Sequence, residues 1–356
     1  MPLLTRSVQT PLTIDVRRGA IASLGKLLAD GRVSASGDVA VVVGPGQGEK
    51  IAALLQPTLV NAKILHIAGG TLDSALDLGT QLRHLHVDAV VAIGGGKTID
   101  TTKYAASRYG LPMVTVATSL ANDGIASPVA TLDHDGARPS YGAHIPLAVF
   151  VDLDFVESGP DSQSRAGIGD TINNISAIAD WELSARVTGE PFDGLAAAMA
   201  RSSAEALLNH PGDITDDGFL TILAEGLIMG GLAMAVAGTS RPASGGCHEI
   251  SHAMNIVRPG HGSHGEQVGL GALFCTFLRD DLDRFAQMSA AMQRHGLPRV
   301  PAELDLTLDE FVEVVQFAPR TRPERYTILE HLGVGAGLPE SRLQQLVKDY
   351  VDAVLS

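Results

Sequence analysis

The chain has 356 residues, of which 45% are hydrophobic and 4% aromatic, with 39 glycines and a formal net charge of −14. This length can supply two ordinary domains with separate cores, and cores made from Ala, Val, Leu and Ile fit α/β packing better than a β-sandwich. The acidity argues against nucleic-acid and membrane-surface binding, and it means that an anionic substrate needs a local cationic or metal centre.

In chain order, the opening Met-Pro-Leu-Leu-Thr-Arg-Ser lacks the layout of a signal peptide. Short apolar runs at 39–43, 64–67, 89–93, 113–117 and 147–151 predict strands. The first four end in Gly44-Pro45-Gly46, Gly69-Gly70, Gly94-Gly95-Gly96 and Thr118-Ser119, and the fifth ends at Asp152. Segments 48–55, 72–85 and 98–109 between them have helical spacing. Strands alternating with helices imply βαβ units and a parallel sheet. Beyond Gly159 the strand-like runs stop. Helices are expected at 171–188, 194–208, 217–237, 247–257, 266–286, 307–317 and 340–355. The expected organisation is an α/β dinucleotide-binding domain over 1–160 and an all-helical metal- and substrate-binding domain over 161–356. The polar stretch 159–169 would join them. A cleft is expected at the C-terminal ends of the strands, facing the helical domain.

The run at 219–237 is apolar but interrupted by Glu225 and three glycines, so it reads as a core helix rather than a membrane span. Cys247 and Cys275 form no CxxC pattern. That argues against a disulfide framework and points to a reducing, cytoplasmic setting.

Several motifs carry chemistry. Gly94-Gly95-Gly96-Lys97-Thr98-Ile99-Asp100 follows a buried strand and opens a helix, where free N–H groups and the helix dipole favour a pyrophosphate. A tight strand–helix turn is the plainer alternative. Gly44-Pro45-Gly46-Gln47-Gly48 departs from the GxGxxG fingerprint and reads as a turn near the adenosine half of a nucleotide. Thr118 to Pro128, with Asn122-Asp123-Gly124 at its centre, places short donors and acceptors at another strand end, although Asn-Asp-Gly is also ordinary turn chemistry. Asp170, in Gly-Ile-Gly-Asp, is read first as a helix N-cap and second as a metal-binding carboxylate. Arg241 is read either as an oxyanion binder or as a surface arginine in a turn.

Four of the twelve histidines lie between His248 and His264. His248 and His252 share a helix face, and with a carboxylate they would leave open coordination positions for a catalytic metal. His248-Glu249-Ile250-Ser251-His252 also matches the string of a zinc protease, with His261 or His264 as the third ligand. Cys247 reads as a packing residue rather than a soft ligand.

Taken together and in order, six segments resemble the sn-glycerol-1-phosphate dehydrogenase family. That family belongs to the wider group of iron-containing alcohol dehydrogenases, glycerol dehydrogenases and dehydroquinate synthases. The segments are 94–100, 118–128, 167–170, Ser-Arg-Pro-Ala-Ser-Gly at 240–245, His-Glu-Ile-Ser-His at 248–252 and His-Gly-Glu-Gln at 264–267. The resemblance implies a Rossmann-like N-terminal domain, a helical C-terminal domain and NAD or NADP as cofactor. It implies Asp170, His248 and His264 as ligands of one divalent metal. Zinc is expected, with iron and nickel as alternatives. It implies substrate contacts and proton relay by His252 and Asp123. Gly94, Gly95, Gly96, Lys97, Thr98, Asp100, Thr118, Ser119, Ala121 and Ser127 would line the nucleotide, and His261 would be a bystander.

The implied reaction is hydride transfer to dihydroxyacetone phosphate or a close relative, giving glycerol 1-phosphate. The expected partner is a small molecule, with no nucleic acid and no integral membrane segment, and a homo-oligomer is expected. Two departures bear on the substrate. Asn122 stands where the family has His, and Gly246-Cys247 stand where it has Ser-Glu. A sugar-phosphate cyclase, a glycerol or polyol dehydrogenase and a non-catalytic nucleotide binder are the alternatives. The cyclase loses ground because residues 131–142 lack a Gly-Lys-Asn loop.

Overall fold

Val- and Ala-rich runs form the central strands Val39–Val43, Ala89–Gly94, Met113–Ala117 and Ala148–Asp152, as β-branched residues on a doubly covered sheet should. The computed structural model describes residues 8–55, 57, 62–136 and 138–356, so the opening heptapeptide lies outside the described residues. Eight strands occur among them. They are β1 (Thr13–Arg17), β2 (Val39–Val43), β3 (Lys63–His66), β4 (Ala89–Gly94), β5 (Met113–Ala117), β6 (Val129–Thr131), β7 (Ser140–Gly142) and β8 (Ala148–Asp152). Six of them make one parallel sheet in the order β1-β8-β5-β4-β2-β3. β6 and β7 form a separate antiparallel pair. Every residue of β2, β4, β5 and β8 is buried.

Helix Gln47–Leu55 carries the chain from β2 outward to β3, and helix Gly96–Arg108 carries it from β4 the other way to β5. The turns after β2 and β4 therefore diverge from neighbouring strands. That is the switch point where open α/β sheets form a crevice.

The chain divides into two compact units. The first comprises residues up to Ser164 together with Leu227–Val236, and the second comprises Arg165–Gly226 with Ala237–Ser356. The second is helical throughout its described length, apart from turns and short 3-10 segments. The protein is thus a Rossmann-like parallel sheet followed by a helical C-terminal region. Helix Asp217–Ala237 is the one helix among the described residues long and apolar enough to cross a membrane, and 61% of its apolar window is buried within the protein.

Three expectations change. The polar stretch 159–169, expected to join the domains, is helical from Asp161, where a helix begins that runs to Thr188 and so starts ten residues before the one expected at 171–188. Asp170 therefore sits in a helix interior, and the N-cap reading fails. The single helix expected at 266–286 is two, His264–Leu278 and Leu282–Arg294. They break where Asp280 takes φ +59 and Asp281 caps the second helix by accepting from Arg284 N–H. The strands β1, β6 and β7 carried no apolar run long enough to be read.

Candidate active site

In the sheet unit, side chains of Thr98, Ser119 and Asn122 press on the glycines of the turn after β4. A Cβ on Gly44 or on Gly94 would stand under 3.0 Å from the Thr98 hydroxyl. A Cβ on Gly95 would meet Ser119 Oγ at 3.2 Å, and one on Gly96 would meet Asn122 Nδ2 at 3.3 Å. The glycines thus seat Thr98, Ser119 and Asn122 around one turn. Gly95 is the N-cap of helix Gly96–Arg108 and gives it no side-chain hydrogen bond. The N–H groups of that first turn remain for an anion. Thr118, Ser119 and Ser127 are buried, Ala121 is half-buried and Lys97 is exposed.

Asp100 is buried. Its Oδ1 lies 3.1 Å from Lys103 Nζ, and its Oδ2 accepts from Thr131 N–H at 3.1 Å. Burial raises its pKa, partly offset by Lys103. Lys103 also donates to the carbonyls of Gly124 and Ser127, so this pair pins the segment that contains Asp123. Asn122 Oδ1 accepts from Gly124 N–H at 2.9 Å, which is the turn chemistry considered for it. Asp123 opens the 3-10 turn Asp123–Ile125 beyond β5.

In the helical unit, three helices meet through glycine. A Cβ on Gly169 would collide with the Gly265 carbonyl, and one on Gly265 would collide with that of Ala166. The helices Asp161–Thr188 and His264–Leu278 therefore touch backbone to backbone. Asp170 and His264 directly follow and precede these two glycines. The third helix, Gly246–Val257, starts at Gly245, which has no side chain to cap it. Asp180 supplies the missing acceptor, taking the Gly246 N–H at 2.8 Å.

This packing brings one ligand atom each of Asp170, His248 and His264 within 4.8 Å of one another. His264 Nε2 lies 3.7 Å from Asp170 Oδ1, close to the roughly 3.3 Å edge of a tetrahedral zinc site. The hydrogen bonds fix the tautomer. Ser251 Oγ gives its one hydrogen to Gln267 Oε1 at 2.8 Å. At its 3.3 Å contact with His264 Nδ1 it must then accept, so Nδ1 carries a hydrogen and Nε2 is the nitrogen that would ligate a metal. Burial, then His264 and His252, push the His248 pKa well down, so its imidazole is neutral as a ligand must be. Two imidazoles and a buried carboxylate are a fitting donor set for a divalent ion.

The other candidates separate from this triad. The His252 ring lies 6.4 Å from that of His248, and its Nε2 is 3.2 Å from an Arg322 guanidinium nitrogen. Arginine only donates, so Nε2 accepts and the His252 proton sits on Nδ1. His261 donates from Nδ1 to the Leu304 carbonyl at 2.9 Å. Glu266 accepts from Ser263 N–H and Oγ as part of a helix cap. Burial, with Glu330 and Asp180 nearby, pushes the Glu249 carboxyl up to about 9. It is wholly buried, which removes it as a protease-type general base. Burial also pushes the Cys247 thiol up to about 12, and its Sγ donates to Asn173 Oδ1. Arg241 is neither a surface arginine nor a free anion binder. It is 3% exposed and clasps Glu190 through two hydrogen bonds, 2.8 and 2.5 Å long.

Sequence reasoning missed Lys103, Asp180, Arg322 and Arg325. The last two had a signal, since Arg320-Thr321-Arg322-Pro323-Glu324-Arg325 is a basic cluster in an acidic chain.

A family profile described as iron-containing alcohol dehydrogenase matches residues 15–160. The glycerol-1-phosphate dehydrogenase [NAD(P)+] of Hyperthermus butylicus is 35% identical over 335 residues, covering 92% of this chain and 94% of that protein. Its counterpart in Pyrococcus furiosus is 34% identical, covering 85% and 88%. Among solved structures, a glycerol dehydrogenase from Schizosaccharomyces pombe superposes with a TM-score of 0.77 at 20% identity, over 99% of this chain and 91% of that one.

Proposed function

The chain belongs to the glycerol-1-phosphate dehydrogenase family, and we propose that it reduces dihydroxyacetone phosphate to glycerol 1-phosphate at a divalent metal held by Asp170, His248 and His264. It is an NAD(P)-dependent dehydrogenase of the iron-containing alcohol dehydrogenase group. The observation that carries the proposal is the convergence of two imidazoles and one buried carboxylate from three helices.

A divalent ion supplies Lewis acidity toward a ketone oxygen, and a reduced nicotinamide supplies hydride. The chain's own residues do the rest. The sheet unit is read as the nucleotide-binding part. Its first-turn N–H groups at Gly96, Lys97 and Thr98 would take the pyrophosphate, with Gly94, Gly95, Thr118, Ser119, Ala121 and Ser127 lining the nucleotide. Asp100 would act from behind, by holding Lys103 and Thr131. The helical unit is read as the metal and substrate part. His252 holds a proton at Nδ1 while Nε2 accepts from Arg322. That proton would be available to the oxygen of the reduced ketone. Zinc is the favoured metal for this donor set. The two cysteines are free and buried, which supports a cytoplasmic setting.

The test is NADH oxidation by zinc-loaded protein with dihydroxyacetone phosphate, dihydroxyacetone and small hydroxyketones. One NADH consumed per dihydroxyacetone phosphate is the expected result. Product without net NADH loss would replace the dehydrogenase reading with a cyclase. Turnover of another ketone but not of this one would overturn the substrate.

A further inference from the structure

His248 is the third residue of the helix Gly246–Val257, so it stands in a first turn whose N–H groups need acceptors from outside the helix. The usual acceptor is a Ser, Thr, Asp or Asn side chain on the preceding residue, but here that residue is Gly245. A Cβ at Gly245 would stand 2.5 Å from Asp180 Oδ2 and 3.0 Å from Ala177 Cα. A local capping side chain and the Asp180 carboxylate therefore exclude one another. The acceptor comes instead from the helix Asp161–Thr188, the one that carries Asp170.

Asp180 is wholly buried, and both of its oxygens are engaged. Oδ2 accepts from Gly246 N–H at 2.8 Å, and Oδ1 accepts from Ile328 N–H at 2.7 Å. Its charge is paired with Arg279, the residue that closes the helix His264–Leu278. Arg279 also donates to Ser176 Oγ at 3.0 Å and to the Ser176 carbonyl at 3.2 Å. One carboxylate thus links the three helices that carry Asp170, His248 and His264. The helices of Asp170 and His264 touch first where Gly169 meets Gly265. The Arg279 clasp ties them again roughly 16 Å further along, at the helical rise per residue. A glycine crossing alone can act as a pivot, and a second tie fixes its angle.

We propose that Asp180 is a positioning residue for the Asp170–His248–His264 triad, holding His248 at the distance from the other two groups that a divalent ion needs. This rests on reading that triad as a metal site. Asp180 touches no ligand side chain and acts through backbone. Without its carboxylate the first turn of Gly246–Val257 loses its acceptor and frays, and His248 lies within that turn. A buried ion pair adds little net stability, because desolvation offsets its attraction. What Asp180 supplies is the placement of three helix ends relative to one another.

The test measures Co²⁺ affinity of metal-free protein, together with the visible absorption of the bound ion, which reports its ligand geometry. The variants are Asp180→Leu, Asp180→Leu combined with Arg279→Met, and Asp180→Asn. Leu207→Ala, in the buried face of the helix Gly194–Asn209, is the control for lost stability alone. Asp180→Leu strands the Arg279 charge, so both melting temperature and Co²⁺ affinity should fall. Making both members of the pair apolar should restore most of the melting temperature. Co²⁺ affinity should nevertheless stay about 10- to 100-fold below wild type, with an altered spectrum, because Gly246 N–H still has no acceptor. Asp180→Asn keeps one acceptor oxygen and should retain part of the affinity. Leu207→Ala should melt earlier with affinity and spectrum unchanged. If the Leu variants do not fold, Asp180→Asn against Leu207→Ala makes the same comparison. Wild-type affinity and spectrum in the Asp180 variants, or an affinity that follows melting temperature in every variant including Leu207→Ala, overturns the positioning role and leaves the triad standing. Co²⁺ binding that His264→Ala does not weaken overturns the triad, and the positioning role falls with it.

Discussion

Glycine stands beside the candidate site residues in both units, but it makes room for different things. In the sheet unit Gly44 and Gly94 make room for a side chain, that of Thr98. In the helical unit Gly169 and Gly265 make room for backbone, the carbonyls of Gly265 and Ala166. A side chain can be trimmed or rotated, whereas a helix backbone in contact with another cannot yield without moving its whole element. The proposed nucleotide side is therefore built of adaptable turns offering N–H groups. The proposed metal side is built of side chains whose spacing is set by helix packing.

The strongest way to break this comparison is at the triad. Asp170→Asn or His264→Ala should remove bound metal and lower the reductase rate by about 10³-fold or more, while NADH binding persists. Metal analysis and NADH fluorescence check both halves, and loss of NADH binding in these variants would show that the two sites are not separable. Next comes Gly265→Ala. Pressing a methyl against the Ala166 carbonyl should cost about 3 kcal/mol of stability and lower metal affinity about 10-fold or more, as read by thermal melts and metal titration. Gly44→Ala should cost about 1–3 kcal/mol and weaken NADH rather than metal binding. Because its obstacle is the Thr98 hydroxyl, adding Thr98→Ala should recover most of that loss, a coupling that a double-mutant cycle measures. No single side-chain deletion should rescue Gly265→Ala.

The smallest effect concerns pH. Burial works to raise the Glu190 pKa, but hydrogen bonds from Arg241 and Ser184 hold it below the ordinary 4.5. A lowered folded-state pKa stabilises the protein above the unfolded value and loses that contribution as pH falls through the folded one. Melting temperature should therefore decline below about pH 4.5, and Arg241→Ala should flatten that part of the profile.

The central strands were legible because each is an apolar run of about five residues, and β2 and β4 close on glycine. Met113–Ala117 was read to the residue, whereas Thr13–Arg17, a short edge strand with no fully buried residue, carried no such run. The site in the helical unit was harder. Asp170 looked like a cap because Gly167 and Gly169 resemble a loop, when both are helical and Gly169 lies at a helix crossing. Arg241 looked like an anion binder because its partner, Glu190, lies 51 residues away. The tautomer of His264 depends on Ser251 and Gln267. These are tertiary facts that sequence spacing does not encode. Order along the chain, through resemblance to a family, did place Asp170, His248 and His264 in one group.

The central claim is that reduction requires a metal at this triad and a phosphorylated three-carbon ketone. The direct measurement is the initial rate of NADH oxidation with dihydroxyacetone phosphate, by chelator-stripped protein titrated with zinc. The rate should rise from near zero and saturate at one zinc per chain, with glycerol 1-phosphate formed mole for mole. Full activity in the stripped protein, or saturation with metal but no reduction of this ketone, would contradict it.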